Sequence, residues 1–362
     1  MTRLTNLYDQ YGQSPWLDNI RRSWITDGTL EDYATRGVRG LTSNPTIFQK
    51  AITSTTDYDT QFKENISDGL DIETSYWEMV KTDIVEAARI LRGVYETSER
   101  LDGFVSVEVS PNLAYDSAST IVSAHALHKE IPIPNLYVKI PGTTEGLMAI
   151  EELAAAKLNI NVTLIFGIKR YLEVAESYIS GLERATGDLS SISSVASFFI
   201  SRIDTIVDQH LEQIGSREAR QLQGKIAIST AKEAYSNFQR IYSGPRWDAL
   251  AARGARPQRL LWASTSTKNP AYSETLYVDE LIGPHTVNTM PESTLDAFEH
   301  HGTLLPTLQS KLHESQAILA SLQKTGIDMN AVADQLEAEG VAAFSESFNG
   351  LLDTLDKKAD NL

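Results

Sequence analysis

Short apolar runs alternate with longer amphipathic stretches along most of this sequence. The amphipathic stretches carry apolar residues at helical spacing, as in Ile168–Leu182, whereas the short runs have the length of strands. This alternation is typical of βα units arranged around a parallel sheet. The candidate strands are Pro15–Asp18, Val38–Asn44, Phe104–Ser110, Asn135–Ile140, Asn159–Ile165, Val195–Ile200, Lys225–Ser229 and Leu260–Ser264. Eight strands separated by helices predict an α/β fold of the (β/α)8, or TIM-barrel, type.

Helical patterns also lie outside the βα units. A long helical insert spans about residues 52–100, and the chain is again mostly helical over about residues 292–362. No stretch rich in Pro, Gly or Ser separates either region from the rest of the sequence. We therefore expect residues 1–362 to form a single TIM-barrel domain, with the C-terminal helices packed on the barrel.

Three successive candidate strands carry polar residues on the face opposite to their aliphatic residues. These polar residues are Glu108, Lys139, Asn161 and Thr163. Alternate residues of a strand point to opposite faces, and in a barrel one of those faces points inward. Because ionisable and amide groups are costly to bury unless they are paired, we expect the four side chains to converge on a site near the carboxyl ends of the strands. The pattern alone also fits a half-exposed antiparallel sheet, although helices rather than turns separate these strands.

Lys139 is the candidate nucleophile of this site. Val138 and Ile140 on either side indicate burial, and Pro141-Gly142 ends the strand directly after the lysine. Desolvation disfavours the charged ammonium form, and a neutral amine in a dry pocket can attack a carbonyl carbon. The protonated imine that forms is an electron sink for cleavage of an adjacent C–C bond, and this chemistry needs no metal. The alternative is that a lone lysine in an apolar strand is an edge or surface residue.

Three motifs resemble those of the transaldolase family. Gly40–Phe48 (GLTSNPTIF) is similar to the family's Thr-Ser-Asn-Pro signature, Val138–Pro141 (VKIP) to its Schiff-base lysine strand, and Asn161–Phe166 (NVTLIF) to its next strand. The resembling segments follow in the expected order from Trp16 to about Asn269, and the sequence looks most like the bacterial branch. The resemblance implies a (β/α)8 barrel, a lysine-dependent class I aldolase mechanism and no cofactor.

The resemblance also implies roles for individual residues. Lys139 matches the imine-forming lysine, and Asp18 matches the acid/base for the sugar hydroxyl whose deprotonation drives C–C cleavage. Glu108 and Thr163 resemble the pair that holds a catalytic water. Each of these roles has a structural alternative. The local pattern alone favours a helix N-cap for Asp18, and Glu108 could instead form a structural ion pair with Lys139.

A further set of residues is assigned to substrate binding by the same resemblance: Asn44, Asn161, Ser197, Phe199, Arg202, Ser264 and Lys268. Asn44 and Asn161 would orient hydroxyl groups, although Asn44 before Pro45 is also a typical turn residue. Arg202 suits a phosphate group through its bidentate fork. Lys268 stands near the place where the family often has an arginine, but its spacing from the preceding strand is looser.

The implied reaction transfers a dihydroxyacetone unit from sedoheptulose 7-phosphate to glyceraldehyde 3-phosphate, as in the pentose phosphate pathway. The three-carbon unit would stay on Lys139 as an enamine until an acceptor aldehyde arrives. One alternative is a fructose-6-phosphate aldolase-like class I aldolase that releases free dihydroxyacetone. A second alternative is a non-catalytic sugar-phosphate-binding barrel.

The charge and hydropathy of the chain argue against two classes of partner, nucleic acids and membranes. The 362 residues carry a net charge of −16 and no basic run, which argues against nucleic-acid binding. No segment approaches the roughly 18 apolar residues of a spanning helix, and the first residues lack the apolar core of a secretory signal. We therefore expect a cytoplasmic protein, monomeric or homodimeric, with no nucleic-acid or membrane partner. That it acts on sugar phosphates is what the resemblance implies.

Metal binding is not expected. The sequence has no cysteine, which excludes a thiolate nucleophile and a Cys-ligated zinc site. His125 and His128, like the adjacent pair His300 and His301, lack the accompanying carboxylates of a metal site.

Overall fold

Seven parallel strands form the centre of the computed structural model, which describes residues 2–360. The strands are β1 (Gln13–Leu17), β2 (Val105–Glu108), β3 (Leu136–Pro141), β4 (Ile160–Ile165), β5 (Ser194–Phe199), β6 (Arg259–Ala263) and β7 (Thr286–Met290). Their order in the sheet is β1-β7-β6-β5-β4-β3-β2. Almost every strand residue is buried, because helices cover the outer face of the sheet and side chains fill the inner face.

Helices connect the strands, and further helices precede the first strand and follow the last one along the chain. Across residues 2–360 they are α1 (Arg3–Tyr11), α2 (Arg22–Thr26), α3 (Thr29–Arg36), α4 (Pro45–Ser54), α5 (Asp59–Ser67), α6 (Ile72–Ile90), α7 (Arg92–Thr97), α8 (Ser117–Glu130), α9 (Thr144–Ala155), α10 (Ile168–Arg184), α11 (Ser201–Ile214), α12 (Arg217–Arg220), α13 (Ile226–Ile241), α14 (Pro245–Ala251), α15 (Leu276–Glu280), α16 (Glu292–His301), α17 (Leu312–Gln323) and α18 (Met329–Ala359). Together with the parallel sheet, these helices make an α/β fold that is TIM-barrel-like. None of the helices of residues 2–360 is both long enough and apolar enough to cross a bilayer.

The predicted strand Val38–Asn44 is present only as a bridging residue, Leu41. Leu41 pairs in parallel with Leu17 of β1 and with Val105 of β2, the two edges of the seven-stranded sheet. The strand stops here because Asn44 caps α4 and Pro45 begins it, which turns the chain away from the sheet.

One strand prediction was wrong and one strand was missed. Lys225–Ser229 is not a strand, because Ile226 opens helix α13, in which Ile226, Thr230 and Ala234 recur every four residues on a buried face. The short apolar run looked like a strand because its helical period becomes visible only beyond Ser229. The missed strand is β7, whose sequence TVNTM contains too few aliphatic residues to stand out although all five residues are buried.

The inserted and C-terminal regions contain helices. The insert contributes α5, α6 and α7, and the C-terminal region contributes α16, α17 and α18. Helix α18 packs against α4, α6, α11 and β4, and its residues Phe344, Phe348 and Leu351 belong to the hydrophobic core. The last helix therefore lies beside the carboxyl ends of the strands, where the polar residues predicted for the site are found.

A buried carboxylate holds together the opposite end of the sheet. Asp102 is fully buried and accepts hydrogen bonds from Arg39 (2.8 Å), Arg259 (3.0 Å), Ser14 (2.8 Å) and the Trp16 indole (3.2 Å). Burial alone would raise the pKa of Asp102, but Arg259 and Arg39 outweigh it and hold the pKa below its ordinary value. Every lone pair of this carboxylate is in use, so its role is to stabilise the fold.

We expect Asp102→Asn to lower the free energy of unfolding at pH 7 by about 3 kcal/mol, because two arginines lose their buried counter-charge. Since the folded-state pKa of Asp102 is depressed, its contribution is present at neutral pH and is lost as the pH falls through that pKa. Urea unfolding measures the change. The matched control is Asp68→Asn on the exposed surface, which should change the free energy by less than about 0.5 kcal/mol. Equal effects of the two substitutions would contradict this interpretation.

Candidate active site

Strand register places three of the predicted site residues in one row. Glu108 on β2 is the partner of Lys139 on β3, and Lys139 is the partner of Asn161 on β4. Paired residues on neighbouring parallel strands point to the same face, so the three side chains enter the interior of the sheet together. Glu108 and Lys139 lie in the last half of their strands, on the side where α/β barrels build their sites, whereas Asn161 is the second residue of β4.

The Lys139 amine is inside the protein and is held by two oxygen atoms. The residue is 4% exposed. Its Nζ donates a hydrogen bond to the Ser43 carbonyl oxygen (2.8 Å) and lies 3.2 Å from Oε2 of Glu108. The surface alternative for this lysine therefore does not describe the structure, whereas the ion pair with Glu108 is present.

Two buried polar atoms near the amine lack a hydrogen bond to the described residues. They are Oε2 of Glu108, whose contact with Lys139 is ionic rather than a directed hydrogen bond, and Oγ1 of Thr163. Buried polar atoms are nearly always satisfied by protein or by ordered water. Each of the two oxygens can therefore accept a hydrogen bond from a further group or from water.

Burial changes the proton affinity of Glu108. Desolvation raises the pKa of its carboxyl group, and the nearby charge of Lys139 lowers it only in part. A carboxyl group with a raised pKa can give and take a proton closer to neutral pH than an exposed glutamate can.

Asp18 lies directly after β1 and lines the same cavity as Lys139. Its Oδ1 accepts a hydrogen bond from the Thr42 hydroxyl (2.7 Å), which also contacts the Thr289 hydroxyl (2.8 Å). Desolvation raises the pKa of Asp18, whereas the Thr42 hydrogen bond and the charge of Lys139 lower it. Asp18 does not cap the next helix, because the N-cap of α2 is Arg21.

An irregularity in β4 sets the position of Thr163. The pairing of β4 with β5 shifts register between Val162 and Ile165, and Leu164 has a φ of +62°. A leucine in the left-handed region costs of order 1–3 kcal/mol, and such bulges re-aim side chains beside functional sites. Leu164 packs against Gly340 of α18, where a Cβ atom would lie 2.8 Å from its Cδ2. The C-terminal helix thus supports the bulge.

These residues surround a cavity of about 100 Å³. Its walls are Asp18, Thr42, Asn44, Lys139, Thr163, Ser197, Phe199, Arg202, Ala263, Ser264, Thr289 and Phe344. Eight of the eleven residues predicted for the site line it. Glu108 contacts the cavity only through Lys139, Asn161 lies behind Ser197, and Lys268 is exposed outside.

The two predicted amides are held by different contacts. Asn161 is fully buried, donates to the Ser106 hydroxyl (3.2 Å) and accepts from the Ser197 hydroxyl (2.7 Å). Asn44 accepts a hydrogen bond from the Ile47 amide (2.9 Å) and is the N-cap of α4, so it combines a capping contact with a place in the cavity wall.

The far end of the cavity has the features of an anion site. Helix α11 begins at Ser201, and its N-cap residue Ile200 supplies no side-chain hydrogen bond to the first turn. The Ser201 amide donates to the Ser264 carbonyl (3.1 Å), and the Ile203 amide donates to the Ile200 carbonyl (3.0 Å). Arg202 lies in that turn, with its guanidinium 5.6 Å from the centre of the Phe199 ring. The Ser201 and Ser264 hydroxyls lie 2.9 Å apart, and Ser264 has a φ of +56°.

Lys268 lies outside this anion site. It is exposed, and its Nζ donates a hydrogen bond to the Ser266 hydroxyl (2.6 Å). Within residues 2–360, no group of three or more His, Asp or Glu side chains is arranged to hold a metal ion.

Sequence comparison adds the family. A family model described as Transaldolase/Fructose-6-phosphate aldolase matches residues 15–355. The chain belongs to this family. It is similar to the transaldolase of Frankia alni, with 46% identity over 95% of this chain and 94% of the relative. The transaldolase of Parafrankia sp. is 47% identical over 95% of both chains, and transaldolase 1 of Streptomyces coelicolor is 43% identical over 99% of this chain and 95% of the relative. The family predicted from the motifs is confirmed over nearly the whole chain.

Four contributions to this family member's site were missed in the sequence. Thr42 and the Ser43 carbonyl belong to the quoted Thr-Ser-Asn-Pro motif, so a signal for them existed. Thr289 lies on the unrecognised strand β7. Phe344 lies on a helix some two hundred residues after Lys139, and no local pattern links the two.

We expect Arg202→Met to weaken the binding of inorganic phosphate at least about tenfold, because a charge-assisted, two-pronged contact is lost. Isothermal titration calorimetry measures the dissociation constant. The control is Arg246→Met, since Arg246 pairs with Glu176 and Glu183 on the surface and should not affect phosphate. Unchanged affinity in Arg202→Met would place the anion elsewhere.

Proposed function

We propose that the protein is a transaldolase that moves a dihydroxyacetone unit from sedoheptulose 7-phosphate to glyceraldehyde 3-phosphate through a Schiff base on Lys139. The observation that carries this proposal is an almost completely buried lysine amine, placed between Glu108 and a polar cavity, in a member of this family. The reaction would serve the pentose phosphate pathway, in the cytoplasm, without a cofactor.

The first stage is imine formation at Lys139. Glu108 first takes a proton from the Lys139 ammonium group. The neutral amine then attacks the ketose carbonyl carbon, and the resulting carbinolamine loses water to give a protonated imine. Glu108 and Thr163 hold the water that carries protons to and from the nitrogen and oxygen. This role is supported by the Thr163 hydroxyl, which has no hydrogen bond to the described residues, and by the raised pKa of Glu108 beside the amine.

The second stage is C–C cleavage. Asp18 takes the proton from the hydroxyl next to the scissile bond, and the bonding electrons move into the imine to give an enamine on Lys139. The aldose product leaves, and the enamine carbon then attacks the carbonyl of the acceptor aldehyde. Desolvation raises the pKa of Asp18, and the Thr42 hydrogen bond and the positive charge of Lys139 oppose that rise and so help to keep the carboxylate form that this step needs.

Substrate binding is divided along the cavity. The phosphate group is held by Arg202 and by Ser264 at the positive end of the α11 helix dipole, with Ser197 and Phe199 forming the wall beside it. Asn44 and Asn161 orient the sugar hydroxyls, and Asn161 acts partly through Ser197. Lys268 attracts the phosphate at the entrance rather than binding it directly.

The same proposal includes the eighth position of the barrel. Residues 38–44 would take the place of a strand between β1 and β2 and close the barrel around the cavity, with residues 1–362 forming one domain that is monomeric or homodimeric. Support comes from Leu41, whose amide donates to the Phe104 carbonyl (2.9 Å) and whose carbonyl accepts from the Ser106 amide (3.0 Å).

The family description also covers fructose-6-phosphate aldolase, which releases the three-carbon unit. Full-length similarity to proteins named transaldolase favours transfer. Steady release of dihydroxyacetone from fructose 6-phosphate without an acceptor would favour the aldolase, and reversible binding without turnover would favour a non-catalytic barrel.

Borohydride trapping tests the nucleophile. Protein treated with fructose 6-phosphate and borohydride should gain a three-carbon adduct, because the reduced imine cannot hydrolyse, and Lys139→Ala should gain none. Mass spectrometry of the peptides locates the adduct. The matched control is Lys232→Met, which removes a second lysine that is 2% exposed but lies outside the cavity, and this variant should still be labelled. An adduct on any lysine other than Lys139 would overturn the assignment.

The pH profile tests the role of Asp18. Thr42→Val removes the hydrogen bond that lowers the pKa of Asp18, so the pKa should rise and the acidic limb of the kcat/KM profile should move to higher pH. Thr289→Val, which contacts Thr42 but not Asp18, should produce a smaller shift. A profile unmoved by Thr42→Val, at retained activity, would remove Asp18 from the role of base.

A further inference from the structure

Phe344 brings the C-terminal helix to the catalytic amine. The centre of its ring lies 6.0 Å from the Nζ of Lys139, and the residue is 4% exposed. It lines the same cavity as Asp18 and Lys139. Phe199, the other aromatic wall, is next to Arg202 and Phe166 instead. The two rings therefore serve different ends of the cavity, Phe199 the phosphate end and Phe344 the amine end.

Contacts on both sides of Phe344 along α18 fix its ring in place. One turn before it, Gly340 packs closely on Leu164, the left-handed residue of the β4 bulge. One turn after it, Phe348 meets Tyr76 edge to face with ring centres 5.4 Å apart. The Ser347 hydroxyl lies 2.8 Å from that of Thr46. Contacts to Leu164, Tyr76 and Thr46 therefore hold α18 in place on both the N-terminal and the C-terminal side of Phe344.

The chemistry of a phenyl ring limits what Phe344 can do. It neither gives nor takes a proton, so it is not an acid or a base in the reaction. What it does is occupy space beside the amine that water would otherwise fill. The cavity has room for only a few water molecules, and the Thr163 hydroxyl, which has no hydrogen bond to the described residues, can bind one of them.

Water at this place competes with the acceptor aldehyde. Hydrolytic release begins when the enamine carbon takes a proton and becomes an iminium ion. Water then adds to the iminium carbon, and an active-site base accepts the proton that the water loses. The C–N bond breaks, which releases free dihydroxyacetone and restores the amine. Transfer requires that the enamine survive this competition until an aldehyde binds.

We propose that Phe344 is a specificity-determining residue that sets the partition of the Lys139 intermediate between transfer to an aldehyde and hydrolytic release, by keeping water from the adduct. This inference rests on the function proposed above. It assigns to the C-terminal helix a part in the choice between transferase and aldolase behaviour.

The test compares two products in one reaction mixture. Full-length protein receives fructose 6-phosphate as donor and erythrose 4-phosphate as acceptor, and both free dihydroxyacetone and sedoheptulose 7-phosphate are measured. We expect Phe344→Ala to raise the ratio of released to transferred product by about tenfold, and Phe344→Leu, which keeps part of the apolar bulk, to raise it less. Phe348→Leu disturbs the docking of the same helix without opening the cavity, so its ratio should equal that of the unaltered protein.

The outcomes separate this inference from the function beneath it. An unchanged ratio in Phe344→Ala would overturn the inference, as would an equal rise in Phe348→Leu. If Phe344→Ala does not fold, Phe344→Leu decides, and an unmoved ratio there counts against the inference. Absence of a borohydride-trapped adduct on Lys139 in the unaltered protein would instead refute the proposed function itself.

Discussion

The pairing of one ammonium group with one carboxylate inside an apolar sheet is the constraint on which the rest of this structure depends. Lys139 and Glu108 are both more than nine-tenths buried, and their charged atoms lie 3.2 Å apart. Removing either charge from water costs several kcal/mol, and removing only one partner would strand the other. The register of β2 with β3 makes the two residues direct neighbours, so the fold itself supplies the partner that makes the burial tolerable.

The two ends of the sheet treat buried polar groups in opposite ways. At the amino end, Asp102 receives four hydrogen bonds and has no capacity left for a ligand. At the carboxyl end, Oγ1 of Thr163 has no hydrogen bond to the described residues, and Oε2 of Glu108 has only its ionic contact with Lys139. The left-handed Leu164 follows Thr163 directly. A saturated network stabilises a fold, whereas incompletely satisfied groups around a cavity indicate a site for chemistry. The contrast explains why function is proposed at one end only.

Much of the site could be predicted from the sequence, because the alternation of side chains along a strand depends only on neighbouring residues. The polar face shared by Glu108, Lys139 and Asn161 follows from a two-residue period, and the structure places these residues in one row. Strand β7 was not predicted, because three of its five buried residues are polar and the segment lacks an aliphatic run. Residues 225–229 were misassigned because five residues are too few to separate a helical from a strand period.

Other features had no local signal at all. The position of Phe344 depends on how a helix far along the chain docks on the sheet, and this is decided by tertiary contacts such as those of Phe348 with Tyr76. The failure of residues 38–44 to form a full strand depends on the early start of α4 at Pro45. Roles taken from resemblance, such as that of Lys268, place a charge in the right region without fixing its distance from the cavity.

The most direct test of the central claim is a crystal structure of the protein after reduction with borohydride in the presence of fructose 6-phosphate. The account predicts continuous electron density from the Nζ of Lys139 to the middle carbon of a three-carbon unit that lies between Asp18 and Phe344. Density that leaves Lys139 free and joins the sugar to another lysine, or that places the unit outside the cavity, would contradict it.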